Sequence, residues 1–346
     1  MGAKLIKIVI IGYIDEKHPT GPSNVVSSLV KGLKELDIEY TFLNAYTQKV
    51  KDKLHFYIGL VELLFSRNMS INVHTWGFKI PLLVYAISRF NKKNNYFLTI
   101  HGILSHENNL NGIKTNWLSL KLERLLYEGM PNIICVSNYA KDIFLKLFNH
   151  NNNVFVVSNG LPLLSKCYVE KNGFSFVYAG GYSNLKGPVD CVKIFKEIHE
   201  VLPKATLTMC GPVVDESLFN RVKETVQTSN LNNCVFIEQK LTKKELINTY
   251  ESATFVLAPS SFDTFNMTVL EAMNTGCIPI VSSDCGIKDI LNNECGIVYR
   301  NYVDVINWIK NINIKEESNR SFEISTKNTY LEMAEKYKEV LEGDYE

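Results

Sequence analysis

A chain of 346 residues, 46% hydrophobic and 11% aromatic, has material for two cores of ordinary size. Its net charge of +1 gives no reason to expect a nucleic-acid partner, and no run of 18 apolar residues offers a membrane-spanning helix. The charge is uneven: residues 1–165 carry 18 Lys and Arg against 11 Asp and Glu (+7), the remainder 19 against 25 (−6). A basic first half suits an anionic membrane surface or a phosphorylated acceptor, and is equally what an uneven solvated surface would show.

The first apolar run, residues 5–11, reads as a buried strand; no cleavage pattern follows it, as a leader would require. Further strands are predicted at 40–43, 71–74, 96–100, 132–136 and 154–157, with helices at 24–36, 80–90, 116–128 and 138–148. Ser23 or Asn24 is placed to cap the first of these helices and Ser137 the last. The richest apolar stretch, His55 to Phe65, is interrupted by Glu62. Asn159-Gly160 and Pro162, within 159–166, break the alternation and mark a domain boundary. Strands then resume at 174–179, 205–210, 234–237, 254–258 and 278–282, separated by helices near 187–201, 215–228, 243–251 and 268–275. Residues 322–342 form a Lys/Glu-rich helix. The alternation predicts two doubly wound, Rossmann-like α/β domains facing across a cleft: residues 1–162, residues 163–321, and a terminal helix within 322–346.

Eight cysteines, at 135, 167, 191, 210, 234, 277, 285 and 295, show neither CxxC spacing nor a following His at a metal-finger interval. Several lie inside apolar strands. They read as small buried hydrophobes of a reducing cytosol, and no structural metal is implied.

Residues 259–283, PSSFDTFNMTVLEAMNTGCIPIVSS, hold the strongest functional signal. Asp263 and Glu271 stand eight positions apart across a loop-to-helix junction, with the helix starting near Thr268 and stopping at Gly276. A helix N-terminus beside a parallel sheet offers backbone N–H groups to a diphosphate. Carboxylates flanking such a site accept hydrogen bonds from neutral sugar hydroxyls. Diphosphate between two hydroxyl-rich groups describes a nucleotide sugar.

The stretch resembles the signature of the GT4-type retaining glycosyltransferases (glycosyltransferase group 1), which have the GT-B fold. Its usual form is Pro-Ser-x-x-Glu-x-Phe-Gly, then four residues to Glu-Ala-Met-x-x-Gly-x-Pro-Val-Val. Pro259, Ser260, Phe265, Glu271, Ala272, Met273, Gly276, Pro279 and Val281 match, while Asp263 replaces the first Glu and Asn266 the Gly. The resemblance implies that Glu271 holds ribose hydroxyls and Asp263 donor-sugar hydroxyls, with Phe265, Asn266, Met267 and Thr268 lining the donor site.

Other residues fit the same series. Gly180-Gly181 opens the first turn of the second domain and leads to Lys186-Gly187, placing an ammonium where a leaving diphosphate needs it. The family usually has Arg at the position of Gly181. His101-Gly102 follows the strand 96–100, and the family's histidine there reaches toward the donor sugar. His74 and His106 have no comparable context and read as structural. Gly21, at the first helix, matches one member of the family's Gly-Gly pair, and Gly211 ends the strand 205–210 at a place that lines the nucleotide pocket in the family. The terminal helix is implied to cross back onto the first domain.

The expectation is a metal-independent, cofactor-free hexosyltransferase-like enzyme that retains anomeric configuration. Its co-substrate would be a UDP- or GDP-sugar bound by the second domain. Its acceptor, on the first domain, would be a saccharide, lipid-linked or free, in surface polysaccharide or glycolipid assembly. The expected location is cytoplasmic, either free or peripheral on the inner face of the membrane through the basic N-terminal domain. Gly181, Asp263 and Asn266 keep open a catalytically weak or silent sugar-nucleotide-binding protein. An epimerase or phosphorylase of the same architecture also stays open. A nicotinamide dehydrogenase is disfavoured, because no GxGxxG opens either domain.

Overall fold

Residues 6–15, 20–46, 50–75, 77–149, 153–161 and 168–343 are described by a computed structural model. In chain order the elements begin β1 (Lys7–Gly12), α1 (Gly21–Glu35), β2 (Tyr40–Asn44), α2 (Val50–Glu62), β3 (Met69–His74), α3 (Lys79–Phe90) and β4 (Asn95–Ile100). They continue with α4 (Leu104–Leu110), α5 (Trp117–Gly129), β5 (Asn132–Cys135), α6 (Asn138–Leu147) and β6 (Asn153–Val156). The second series is β7 (Ser175–Ala179), a 3-10 turn at Asn184–Lys186, α7 (Pro188–Val201), β8 (Thr206–Cys210), α8 (Glu216–Thr228), β9 (Val235–Ile237) and α9 (Lys243–Ser252). After these come β10 (Phe255–Ala258), α10 (Met267–Met273), β11 (Ile278–Ser282), α11 (Lys288–Leu291), β12 (Ile297–Tyr299), α12 (Tyr302–Ile309), α13 (Ile314–Lys327) and α14 (Tyr330–Glu342).

The chain divides into two units, Met1–Pro162 with Asn328–Glu346, and Leu163–Lys327. Each holds one six-stranded sheet, with orders β2–β1–β3–β4–β5–β6 and β12–β11–β10–β7–β8–β9, and every named pairing is parallel. Such strands are buried on both faces, which is why β1, β4 and β11 read as continuous apolar runs. Strand order reverses between β1 and β3 in the first sheet and between β7 and β10 in the second. Ligands of open parallel sheets bind at such switch points, outside the carboxyl ends of the strands.

Right-handed crossovers sort the helices of the first unit. The connections β2→β3, β3→β4, β4→β5 and β5→β6 all run one way along the sheet, so α2, α3, α5 and α6 share a face. Phe56, Val84, Leu126 and Phe144 accordingly join Val9, Ile11, Ile71 and Val73 in one core. The β1→β2 connection runs the other way, putting α1 on the opposite face, where α14 packs against it. Ser70 Oγ of β3 donates to the carbonyl of Leu341 at 2.5 Å.

Several boundaries differ from expectation. The first helix starts at Gly21 rather than near 24, because Thr20 is its cap, accepting from Ser23 N at 3.4 Å; the Ser23 hydroxyl instead accepts from Asp15 N. Residues 322–342 are two helices rather than one. Thr329 caps the second, accepting from Glu332 N, and breaks the Lys/Glu pattern between α13 of the second unit and α14 of the first. From Pro162 onward the expected boundary stretch lies outside the described residues. The seven described cysteines are free and buried, and Cys167 lies outside the described residues.

Candidate functional site

In the second unit the predicted residues converge at the switch point. Lys186 ends the 3-10 turn after β7, and Asp263 lies in the loop after β10, the strand adjacent to β7. Their side chains meet, Lys186 Nζ donating to Asp263 Oδ2 at 2.5 Å. Only 9% of the Asp263 side chain is exposed, against 37% of Lys186. The ammonium expected on a diphosphate and the carboxylate expected on a sugar are therefore ion-paired here.

The backbone around this pair is cross-braced. Ser261 N donates to Leu185 O at 2.9 Å, joining the β10 turn to the β7 turn. Gly187 has φ +64°, and a Cβ there would stand 2.2 Å from Pro259 O, so the Lys-Gly turn and the Pro-Ser turn approach as closely as glycine allows. On the other side, Asp263 N donates to Asp284 O at 3.0 Å and Gly286 N to Asp263 O at 2.8 Å. Asp263 also turns its own loop, its Oδ1 accepting from Phe265 N at 3.3 Å. Phe265 itself is a buried core side chain, so its part in the loop is packing.

Asn266 explains its own departure from the signature. Its φ is +76°, a conformation glycine adopts freely and Asn best among the other residues. Its side chain caps α10, Oδ1 accepting from Val269 N at 3.3 Å and from the Thr268 hydroxyl at 2.8 Å. The replacement keeps the turn and adds a cap. The N–H groups of Met267 and Thr268, in the first turn, have no intrahelical acceptor.

Glu271, in the middle of α10, is bordered by buried Leu270 and Ala272. Among the described residues its carboxylate has no hydrogen-bond partner. Burial raises its pKa above the usual carboxylate value, opposed by Lys243 at the start of α9. The buried phenol of Tyr250, on α9, also lacks a hydrogen-bond partner, and the charge of Glu271 adds to the burial that holds its proton on. Glu271 is half-buried, so its carboxylate is desolvated only in part, and that costs some folding free energy. Such a group is retained where a ligand supplies the missing donors.

Gly180 and Gly181 leave β7, Gly180 N donating to Cys210 O and Tyr178 Oη to Gly181 O. A Cβ at 181 would meet Val214 Cγ2 at 3.2 Å, so the family's Arg position is closely flanked here. Gly211, at φ +155°, brings its Cα so near Gly180 that a Cβ would stand 1.9 Å from the carbonyl oxygen. That position is closed to any side chain.

His101 belongs to the first unit, immediately after β4. It lines a hollow of about 400 Å³ together with Pro22, Thr75, Phe78, Gly102 and Glu107. Gly21 adjoins it at the start of α1, where a side chain would meet nothing within 4 Å; its glycine is not forced by sterics. His101 N donates to Thr75 Oγ1 at 3.1 Å, and its Nε2 lies 3.0 Å from Nδ1 of His74, the last residue of β3. The two rings stack at 5.2 Å.

A buried chain of polar groups sets the tautomers. Tyr337 Oη donates to Thr99 Oγ1, and Thr99 donates to Asn72 Oδ1 at 3.0 Å. The Asn72 amide then donates to His74 Nε2 at 3.2 Å, leaving His74 Nδ1–H to donate to His101 Nε2. His101 therefore carries its ring proton on Nδ1. Burial pushes the His101 pKa down to about 4, and that of His74 well below its ordinary value, burial first and the neighbouring His101 second. Both rings are neutral at pH 7. His74, expected to be structural, is thus the group that orients His101. Its signal in the sequence is a strand ending on His, but the pairing needs the β3–β4 register, in which His74 stands beside Thr99.

A second hollow of the first unit, about 910 Å³, opens at the ends of β1 and β3 and is lined by Tyr13, Tyr57, His74, Phe78, Ile80 and Leu83 among others. Its wall is largely aromatic and aliphatic. Among the described residues, no group of three His, Cys, Asp or Glu side chains is arranged to hold a metal ion.

Residues 168–332 match the family described as Glycosyl transferases group 1. An uncharacterized glycosyltransferase of Methanocaldococcus jannaschii is 26% identical over 239 residues, 68% of this chain and 51% of that protein. The UDP-Gal:alpha-D-GlcNAc-diphosphoundecaprenol alpha-1,3-galactosyltransferase of Escherichia coli is 24% identical over 256 residues, 68% of this chain and 64% of that one. The chain thus spans about half to two thirds of the length of these relatives. Among solved structures, Anabaena HepE in complex with UDP and glucose is similar over 98% of this chain and 100% of that one, at a TM-score of 0.70 and 13% identity. The fold is GT-B, two Rossmann-like units each built on a parallel six-stranded sheet.

Proposed function

We propose that the chain is a GT4-type retaining glycosyltransferase that moves a sugar from a nucleotide diphosphate sugar to a hydroxyl acceptor. The observation that carries this reading is the grouping at the second switch point: Lys186 against Asp263, with the unpartnered carboxylate of Glu271 on the helix that follows. A cation, an acid able to accept from hydroxyls and a second acid lacking donors are what a diphosphate between two polyols requires. UDP- or GDP-sugar is the donor, in keeping with the UDP named for HepE and the UDP-Gal named for the Escherichia coli relative.

In this reading Glu271 accepts from the ribose hydroxyls and Asp263 from the donor sugar. Lys186 turns from Asp263 toward the diphosphate and stabilises its growing charge as the glycosidic bond breaks. The Nδ1–H of neutral His101 positions the sugar. The acceptor hydroxyl attacks on the face the diphosphate leaves, and the departing phosphate oxygen takes its proton, so configuration is retained without a paired acid and base. The alpha linkage named for the Escherichia coli enzyme is the product expected of retention from an alpha-linked donor. The aromatic hollow at the β1–β3 edge suits a saccharide acceptor, lipid-linked in surface polysaccharide or glycolipid assembly.

The test is transfer from UDP-, GDP- and ADP-sugars to lipid-linked and free saccharides, with the anomeric configuration of the product read by NMR. Alpha product from one alpha-linked donor supports the proposal. Tight nucleotide binding with neither transfer nor donor hydrolysis would favour the silent binding protein, and inverted product would refute retention.

A further inference from the structure

Large hydrophobic side chains are not exposed evenly. Of the 21 exposed among the described residues, 17 lie between Leu54 and Leu147, and none is on α1 or α14. They therefore concentrate on the face of the first unit covered by α2 to α6. The second unit exposes four, scattered singly at Val169, Val214, Phe236 and Val303.

The concentration has a pattern. On α2, Phe56, Leu60 and the adjoining Leu63 are buried, yet Leu54, Tyr57, Ile58 and Val61 are 59%, 53%, 46% and 55% exposed. Those four recur at i, i+3, i+4 and i+7, a second apolar stripe on the side of the helix away from the core. Phe65, 81% exposed, extends the stripe just past the helix. Phe90 at the end of α3 and Trp117 at the start of α5 are 85% and 65% exposed on the same face. Patches of this kind mark interaction sites.

The charge says which kind. Residues 50–129 contain ten Lys and Arg but five Asp and Glu. Two of those acids, Glu107 and Glu123, are turned inward onto the N–H groups of Ile103 and Ser105. Lys121 Nζ lies 4.8 Å over the ring of exposed Trp117. Aromatic rings and lysine stems at the edge of an apolar stripe, with cationic heads free to reach phosphates, are the chemistry of a lipid–water interface. No described helix is long and apolar enough to cross a membrane.

We propose that the outer face of α2, α3 and α5 docks on an anionic lipid bilayer. The inference does not depend on sugar transfer, because vesicle binding is measured without donor or acceptor.

The experiment is sedimentation of the full chain with vesicles of phosphatidylethanolamine containing 30% phosphatidylglycerol, against pure phosphatidylcholine vesicles, at low and high salt. Binding to the anionic vesicles that weakens with salt is expected. Ile58→Glu/Val61→Glu and Lys51→Glu/Lys53→Glu should each weaken it by at least roughly tenfold, since each inserted methylene and each lysine contributes a factor of several. All four side chains are exposed, so neither variant removes core packing. Val303→Glu, on the second unit, should bind as wild type. The inference is overturned if anionic vesicles fail to bind the protein, or if neutral vesicles bind it equally and neither double variant changes that. It is also overturned if the chain instead forms a dimer that Ile58→Glu/Val61→Glu dissociates.

Discussion

Glu271→Gln should make the protein more stable and a poorer binder of its donor, and the two effects should separate by pH. The carboxylate has no hydrogen-bond partner among the described residues and burial raises its pKa. Replacing it with an amide of the same shape removes the cost of holding an unpaired charge, about 1 kcal/mol. For a unit of this size that corresponds to a melting temperature higher by roughly 2–4 °C at pH 7. The sign with pH follows from proton uptake. A carboxyl whose folded pKa is raised binds more protons folded than unfolded between the two values, so wild type gains stability as pH falls through that window and the variant does not. The gap should close on acidification.

Donor binding should move the other way. Hydrogen bonds to a charged acceptor contribute about 1.5–3 kcal/mol, so losing the carboxylate should weaken nucleotide-sugar affinity by roughly 10- to 150-fold. Differential scanning fluorimetry across pH, with and without donor, reads both effects. A variant that melts lower than wild type at pH 7, with donor affinity intact, would mean that Glu271 is a structural acid, and the reasoning would fail.

Lys186→Met should lower kcat by about 10²–10³ through loss of charge at the leaving diphosphate, while costing only about 1 kcal/mol of stability because the ammonium is more than a third exposed. Steady-state kinetics beside denaturant melts check it; unchanged kcat would remove Lys186 from the mechanism. Asn266→Gly should cost a few tenths of a kcal/mol, since it keeps the positive φ and loses a cap, whereas Asn266→Ala should cost about 2 kcal/mol from both. Equal stability of the two in urea melts would contradict the backbone account. The half-buried His101, pushed from 6.5 to about 4, excludes a proton that the unfolded chain binds. Unfolding free energy should therefore fall by about 3 kcal/mol between pH 6.5 and 4, and His101→Gln should blunt that slope.

The alternation of short apolar runs with helical periods was enough to place the strands of both sheets except β12, whose three residues are too few to show a pattern. Helix α2 escaped for a different reason. It is apolar on two faces, one packed through Phe56 and Leu60 and one exposed through Leu54 and Val61, so the polar contrast that reveals an amphipathic helix is missing. The break between α13 and α14 is invisible in a continuous Lys/Glu pattern and rests on one capping threonine. Asp263, Glu271 and Lys186 in the second unit, and His101 in the first, were legible as motif positions. That Lys186 pairs with Asp263 across 77 residues, and that His74 orients His101, depend on strand adjacency, which no local spacing records. The Asn at 266 looked like a departure and is one in identity only, since the turn asks for a positive φ that Asn supplies.

The most direct test is a crystal structure of the protein with whichever of UDP, GDP or ADP binds tightest in a thermal-shift screen. The diphosphate should lie at the ends of β7 and β10, within hydrogen-bond distance of Lys186 Nζ and the N–H groups of Met267 and Thr268, with both ribose hydroxyls on Glu271. A nucleotide bound elsewhere, or at this edge with Glu271 untouched and Lys186 still held by Asp263, would contradict it.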